Sequence, residues 1–137
     1  MSEGIRYLHV RAVKYNGRGQ ETYNRGSVTL AYCYLEEGGF FVVGAAFCAP
    51  GDAFSRARGR AIATGRLHQR MVEGAHAQCT TATKGPEPGA TAESLVALLR
   101  SLRGRPYLGY PQFDGPRWYP AFLAAVEKGH VLRRRAA

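Results

Sequence analysis

Residues 27–48 read SVTLAYCYLEEGGFFVVGAAFC, and this stretch decides the fold that the sequence predicts. Two runs of β-forming residues flank the polar segment EEGG, which is typical of a β-hairpin. We expect the hairpin to pair Leu35 with Phe40. Two further pairs follow from that register: Cys33 with Val42, and Cys48 with Ser27. The thiols of Cys33 and Cys48 therefore do not meet.

The second run of this hairpin, residues 40–47, is apolar on both of its faces. A strand with one solvated face alternates apolar and polar residues, and this run does not. Two explanations stay open: a central strand that is covered on both sides, or a strand in a subunit interface. The second explanation favours a homo-oligomer.

Secondary-structure signals continue on either side of the hairpin. Residues 5–15 alternate as a strand does, and a Gly-rich connection over 16–26 follows them. After the hairpin we predict a helix over 53–73, with Asp52 as its N-cap and Gly74 at its end. The remaining segments are a linker (76–90), a helical part (91–128) and a basic tail (130–137) that we expect to be disordered.

The helical part contains two predicted helices. Thr91 caps the first, and Gly129 ends the second, which begins near Pro120. The first helix has one buried stripe with helical spacing: Leu95, Leu98, Leu99 and Leu102. Because strands and helices are grouped and do not alternate as βαβ units, we predict an α+β fold. Residues 1–137 then form a single domain, with an antiparallel sheet of about three to four strands packed with two or three helices.

The composition is that of a basic globular domain. Of 137 residues, 45% are hydrophobic and 21% are charged, which excludes a disordered chain. Nineteen Lys and Arg against ten Asp and Glu leave a net charge of +9, so we expect an anionic partner. Sixteen of the cations are arginine, whose planar fork holds phosphate through two hydrogen bonds. A GC-rich genome is the alternative explanation for so many arginines.

The cysteines and the N-terminus indicate a reducing compartment. Three cysteines, with no CxxC pair among them, do not form a disulfide framework. The N-terminus has no long apolar segment of the signal-peptide kind, and the longest apolar run is too short to span a bilayer. We expect a cytoplasmic protein with no membrane partner.

Five arginines and no acidic residue lie between residues 54 and 70. At about 100° per residue, one arc of this helix holds the residues that we expect to face the core: Phe54, Ala57, Ala61, Ile62, Gly65 and Val72. The opposite face holds Arg56, Gly59, Ala63, Arg66 and Arg70, with Arg60 to one side. Small residues between guanidinium groups let a planar or phosphorylated ligand approach the backbone.

A solvated basic face is the alternative reading of this helix. Two features favour a bound ligand instead. The helix offers no acidic i,i+4 partners, and Gly59 and Gly65 each cost about 1 kcal/mol of helix stability relative to Ala.

Signals for catalysis and for metal binding are weak. His76 and Cys79 could supply half of a zinc site, but no second pair has a suitable spacing. The chain contains no nucleophile elbow and no phosphate-binding loop, and no close pair of acidic residues looks like a general acid/base couple, since Glu36 and Glu37 lie in a turn. We therefore expect no enzyme activity, no metal and no cofactor.

An aromatic segment near the C-terminus contains Tyr107, Tyr110, Phe113, Trp118 and Tyr119. It packs against the sheet as core, or it forms a platform on which a base stacks, with Arg105 and Arg117 beside it for phosphate. On the second reading, the candidate ligand-binding residues are Tyr110, Phe113, Arg117 and Trp118.

Residues 45–67 carry a family resemblance. They contain C-x-P-x-D-x-F at the end of a strand, followed by G-R-x-I-A-x-G-R-L in an Arg-rich helix. This segment resembles the Thoeris anti-defence sponge family, first type, of small phage proteins. The resemblance implies an oligomer with sites between subunits, which sequesters cyclic ADP-ribose-type and cyclic oligonucleotide messengers without cleaving them. The positions carried over are Phe54, Arg56, Gly59, Arg60 and Arg66.

We therefore expect a non-catalytic protein that binds a phosphorylated small molecule, such as an immune signalling nucleotide, in the host cytoplasm. The candidate ligand-binding residues on the helix are Phe54, Arg56, Gly59, Arg60, Ala63, Arg66 and Arg70. The alternative function is a small basic DNA- or RNA-binding accessory or anti-restriction protein, whose phosphate contacts make binding salt-dependent. A protein that sequesters nucleotides should show only weak, non-specific and salt-labile binding to nucleic acid.

Overall fold

The computed structural model describes residues 4–53, 55–102 and 117–136. Five strands and three α-helices occur in these ranges: β1 (Arg6–Tyr15), β2 (Glu21–Leu35), β3 (Phe40–Cys48), α1 (Arg56–Glu73), β4 (Thr80–Thr83), α2 (Ala92–Ser101), α3 (Tyr119–Glu127) and β5 (Val131–Ala136). A short 3₁₀ turn, Gly74–His76, follows α1. The fold is α+β, as the grouping of strands and helices predicts.

The strands form one antiparallel sheet in the order β4-β3-β2-β1-β5. In the central hairpin Leu35 pairs with Phe40, and Cys33 pairs with Val42, as predicted. The turn closes through Gly39, which has a φ of +65° and donates from its amide to the Leu35 carbonyl at 2.9 Å. The register follows from this turn, because its length sets which residues face each other.

The sheet has more strands than the three to four that we expect from sequence. The predicted linker contributes β4, and the predicted basic tail contributes β5, which pairs with β1 from Tyr7↔Ala136 to Ala12↔Val131. Expecting a disordered tail at residues 130–137 is therefore wrong. Three consecutive arginines are compatible with an edge strand, where charged side chains reach solvent.

Helices cover both faces of the sheet. On one face, α1 packs on β3 and β2. On the other face, α2 and α3 bury the larger core with β1, β2 and β3. Val42 and Ala46 of β3 pack with α1, whereas Val43 and Ala45 belong to the larger core. Since one chain covers both faces of β3, its apolar run no longer supports a subunit interface.

The orientation of α1 is the reverse of the predicted one. Ala63 and Leu67 are buried against the sheet. Most of the residues expected in the core lie on the solvent side: Ala57, Ala61, Ile62, Gly65 and Val72, of which Val72 is 86% exposed. The small residues of α1 therefore serve close packing on the sheet. A Cβ on Gly44 of β3 would lie 2.5 Å from the backbone of Ala63, so helix and strand nearly touch there.

The helix ends follow local sequence signals with one exception. The N-cap of α1 is Ser55, whose hydroxyl accepts from the Arg58 amide, and not Asp52. Thr91 caps α2 in a capping box with Ser94, and the predicted leucine stripe of α2 is buried. Gly74 and Gly129 follow α1 and α3 with φ values of +75° and +80°, which glycine adopts readily.

Candidate functional site

A cationic groove runs along the N-terminal half of α1, on the face of the sheet that this helix shares with β1 and β5. Its volume is about 400 Å³. The side chains of β1 and β5 that point to this face form its floor, and α1 forms its wall. We call this set the cationic groove: His9, Arg11, Arg56, Leu132 and Arg134, with Arg60 beside His9.

The groove exists because α1 is narrower than the sheet. The helix lies over β2 and β3 and leaves β1 and β5 largely open on this face. Side chains alternate along a strand, so the antiparallel pair His9↔Arg134 puts both side chains on the same face of the sheet. The β5 strand therefore adds Arg134 to the site, which a disordered tail could not do.

Buried polar contacts hold His9 under α1. The imidazole Nδ1 lies 3.0 Å from the Thr29 hydroxyl, and only 5% of the residue is exposed. Gly59 sits directly above Thr29, since a Cβ added to it would come within 2.6 Å of that hydroxyl. Burial lowers the pKa of His9, and the positive charges of Arg56 and Arg60 lower it further. The imidazole is therefore neutral at pH 7 and adjoins two cations.

Positive charge dominates the groove. Arg11 pairs with Glu21 at the end of the β1–β2 connection. Arg56, Arg60 and Arg134 make no ion pair with a carboxylate of the described residues. Unpaired guanidinium groups around a concave surface attract and orient an anion, and they hold phosphate through paired hydrogen bonds.

The other two candidate arginines of α1 lie away from the groove. The Arg66 guanidinium donates to the Ala45 carbonyl at 2.6 Å, and Arg70 donates to the Thr80 hydroxyl at 3.3 Å. The Ala45 amide donates to the Cys79 carbonyl just beyond the last β3–β4 pair. Because the amide and carbonyl of a strand residue point to the same side, Arg66 takes a carbonyl that β4 leaves unpaired.

The small candidate residues of α1 also meet the sheet. Gly59 contacts Thr29, and Ala63 is fully buried. Of the predicted ligand-binding residues on α1, the structure brings Arg56 and Arg60 to the groove, and it places Gly59 beneath the helix beside it.

The aromatic candidates divide into two groups. Phe54, Tyr110 and Phe113 lie outside the described residues. Trp118 packs edge-to-face with Phe47 and with Phe122, and Arg117 is exposed. The described end of the aromatic segment is therefore part of the core, as one of the two readings predicts.

Four residues of the groove are missing from the sequence-based candidates: His9, Arg11, Leu132 and Arg134. The alternation of β1 puts His9 and Arg11 on one face, which the sequence does show. It holds no signal for the approach of α1 or of β5 to that face, because both contacts are long-range.

A second cavity, of about 430 Å³, lies on the other side of the α1 N-terminus. Thr29, Asp52, Ser55 and Arg58 contribute to its lining. Its polar groups have mixed charge, so it is less suited to an anion than the cationic groove.

Metal and membrane features are not found in the described ranges. No group of three or more His, Cys, Asp or Glu residues in 4–53, 55–102 and 117–136 could hold a metal ion together. None of the helices described there is long and apolar enough to cross a membrane.

The comparisons with known protein families, with curated proteins and with solved structures find no match to this chain.

Proposed function

We propose that this protein binds a phosphorylated small molecule in the cationic groove and sequesters it without cleavage. The observation that carries the proposal is the concentration of Arg11, Arg56 and Arg134 around one concave surface, with Arg60 near enough to lower the pKa of His9. Glu21, the carboxylate paired with Arg11, is not part of that surface. A cavity of about 400 Å³ is within the usual size of small-molecule sites.

The resemblance of residues 45–67 narrows the ligand class. It suggests cyclic ADP-ribose-type or cyclic oligonucleotide messengers, bound by a cytoplasmic homo-oligomer of phage origin. Of the positions carried over from the resemblance, Arg56 lines the groove, and Arg60 lies near enough to lower the pKa of His9. Since β3 is covered within one chain, the oligomer rests on the resemblance alone. Light scattering of the purified protein measures the subunit number.

The described site consists mainly of groups that bind an anion. Its one titratable side chain besides arginine is His9, which is buried beneath α1 and contacts Thr29. Arginine stays protonated and cannot accept a proton from an attacking hydroxyl. This is why we propose sequestration and not hydrolysis.

Calorimetry with cyclic ADP-ribose, cyclic dinucleotides and cyclic trinucleotides tests the proposal. We expect at least one of them to bind at micromolar protein. Arg56→Ala and Arg134→Ala should each weaken that binding about tenfold or more, because a hydrogen bond to a charged group contributes about 1.5–3 kcal/mol. Arg100→Ala is the matched control, since Arg100 pairs with Glu127 on α2 and α3, on the opposite face of the sheet.

Two results would overturn the proposal. One is the absence of heat with every nucleotide tested. The other is mass-spectrometric detection of a cleaved product after incubation. A gel shift over a salt series covers the alternative function: a duplex that binds more tightly than the nucleotides at physiological salt identifies a nucleic-acid-binding protein.

A further inference from the structure

We propose a second binding site, an aromatic cleft on the opposite face of the sheet, which takes an uncharged planar ring that bears an N–H donor, as nucleobases do. The cleft has a volume of about 420 Å³. Its lining includes Arg6, Tyr32, Tyr34, Glu36, Phe41 and Glu87.

The cleft offers a ring surface to a ligand. Tyr34 and Phe41 are directly paired across β2 and β3, and their ring centroids lie 5.1 Å apart. Tyr32 meets the same Phe41 edge-on at 6.0 Å. Tyr34 is 52% exposed, so part of its ring is available for stacking. Partly exposed aromatic side chains bind planar rings by stacking, and such stacking accepts any of the bases.

The cleft also holds a hydrogen-bond acceptor in a fixed position. The Glu87 Oε1 accepts from the Tyr32 hydroxyl at 2.9 Å, and it lies 3.0 Å from guanidinium nitrogens of both Arg6 and Arg135. Three donors on one oxygen fix the carboxylate. The hydrogen bonds and ion pairs of Glu87 with the described residues all fall on Oε1, so we assign Oε2 as the acceptor for a ligand N–H.

The hydrogen bond from Tyr32 lowers the pKa of Glu87, and the nearby Arg6 and Arg135 lower it further. Glu87 is therefore ionised at neutral pH. Ionised acceptors form stronger hydrogen bonds than neutral ones, which makes the Oε2 a good partner for a ring N–H.

The charges at the cleft determine which ligand fits. Arg6 and Arg135 balance the carboxylates of Glu87 and Glu36, which lies at the rim. Because two positive and two negative side chains balance here, the cleft has no net charge that would favour a cationic or an anionic ligand. An uncharged ring with an N–H donor fits this balance.

The cleft is independent of the cationic groove. Tyr32 belongs to the core that α2 and α3 cover, and Tyr34 and Phe41 point to the same face. His9 and Arg134 point to the face of α1. The inference therefore does not depend on the function proposed for the groove.

The test uses adenosine, which has no phosphate for the groove to hold, and follows ligand binding to the full chain by saturation-transfer NMR. We expect a Kd on the order of 1 mM or below. N6,N6-dimethyladenosine lacks the exocyclic N–H donors and should bind at least about tenfold more weakly. Tyr34→Ala should weaken adenosine binding at least about fivefold.

Two control variants keep the outcome specific. Tyr23→Ala removes a similarly exposed tyrosine from the same strand, outside the cleft, and should leave adenosine binding unchanged. Arg56→Ala, which alters the groove, should do the same. These controls distinguish a failure of the cleft from a failure of the nucleotide proposal.

Three results would overturn the proposal that this cleft binds such a ring. Adenosine could fail to bind at about ten times the expected Kd. Benzamidine, a cationic aromatic compound, could bind more tightly than adenosine. Tyr34→Ala, shown to be folded by its NMR spectrum, could bind adenosine as the wild type does.

Discussion

Gly59 of α1 rests directly on Thr29 of β2, so closely that a Cβ on the glycine would lie 2.6 Å from the threonine hydroxyl. The same hydroxyl contacts His9 Nδ1 at 3.0 Å. This contact sets the height of α1 above the sheet and therefore the depth of the cationic groove. Helix packing and the candidate site are thus coupled through Thr29.

The effects of glycine-to-alanine substitutions on the free energy of unfolding should follow what the added Cβ meets at each glycine. In Gly44→Ala the new Cβ would lie 2.5 Å from the backbone of α1, and that backbone cannot shift unless the whole helix moves. The substitution should therefore lower the free energy of unfolding by about 3 kcal/mol. Gly59→Ala brings the new Cβ against a side chain and gains helix propensity, so it should lower the free energy of unfolding by only about 1 kcal/mol. Urea unfolding measures both values.

Gly65→Ala is the matched control on the same helix. Nothing lies within 4 Å of its added Cβ, so the substitution should raise the free energy of unfolding by about 0.5–1 kcal/mol. If Gly65→Ala were the most destabilising of the three, α1 would pack through the opposite face, as the sequence pattern alone suggests.

Arg66 and Arg56 should separate stability from binding. Arg66→Ala leaves the Ala45 carbonyl without its guanidinium partner and should lower the free energy of unfolding by about 1–3 kcal/mol. Arg56→Ala removes an exposed side chain and should change the stability by less than about 0.5 kcal/mol. Pyrophosphate binding, followed by calorimetry, should show the reverse order. Equal loss of pyrophosphate binding in both variants would contradict this assignment of roles.

The buried His9 should make the protein less stable in mild acid. Its pKa lies below the ordinary value of 6.5 for histidine, first because of burial and then because of the positive charges of Arg56 and Arg60. The unfolded chain therefore binds more protons just below pH 6.5, so stability falls as the pH falls from 6.5 to the folded-state pKa. His9→Asn removes the titration and should flatten this part of the profile, measured by urea unfolding.

An NMR titration of the His9 ring tests directly whether nearby positive charge lowers its pKa. Arg56→Ala should raise the His9 pKa because it removes one of the two nearby positive charges, whereas Arg100→Ala should leave it unchanged. A His9 pKa that does not respond to Arg56→Ala would show that this charge does not reach the imidazole.

Deletion of residues 131–137 should destabilise the whole sheet. It removes the six pairs between β5 and β1 and the bond from Arg135 to the buried Tyr32 hydroxyl. We expect a loss of roughly 3 kcal/mol or more, since each ladder hydrogen bond contributes about 0.5–1.5 kcal/mol. Arg134→Ala keeps the backbone pairs and should melt close to the wild type. A truncated protein as stable as the full chain would mean that β5 contributes nothing to folding.

Local patterns predict much of this fold. The hairpin register follows from the EEGG turn, and the capping box of Thr91 together with the leucine stripe predicts α2 and its buried face. In both cases the signal and the structure lie within a few residues of each other. Turn geometry and helix capping are local, so no distant contact had to be known.

The candidate site was only partly predictable. Arg56 and Arg60 could be selected because they lie on an acid-free helix with small residues. Which face of that helix packs on the sheet could not be predicted, because hydrophobicity favours Ile62 and Val72 over Gly59 and Ala63 as core residues. The sheet surface at Thr29 and Gly44 requires small partners, and this steric requirement outweighs hydrophobicity.

The sequence by itself determined the α+β class, the central hairpin and its register, and the concentration of arginine in one helix. Tertiary structure decided what those arginines do. Close packing turned Arg66 and Arg70 toward backbone and hydroxyl groups of β3 and β4, and left Arg56 and Arg60 beside β1. Pairing of β5 with β1 then added Arg134 to the same groove. The physical reason is that charge is a property of each residue, whereas a binding site depends on which distant surfaces can approach one another.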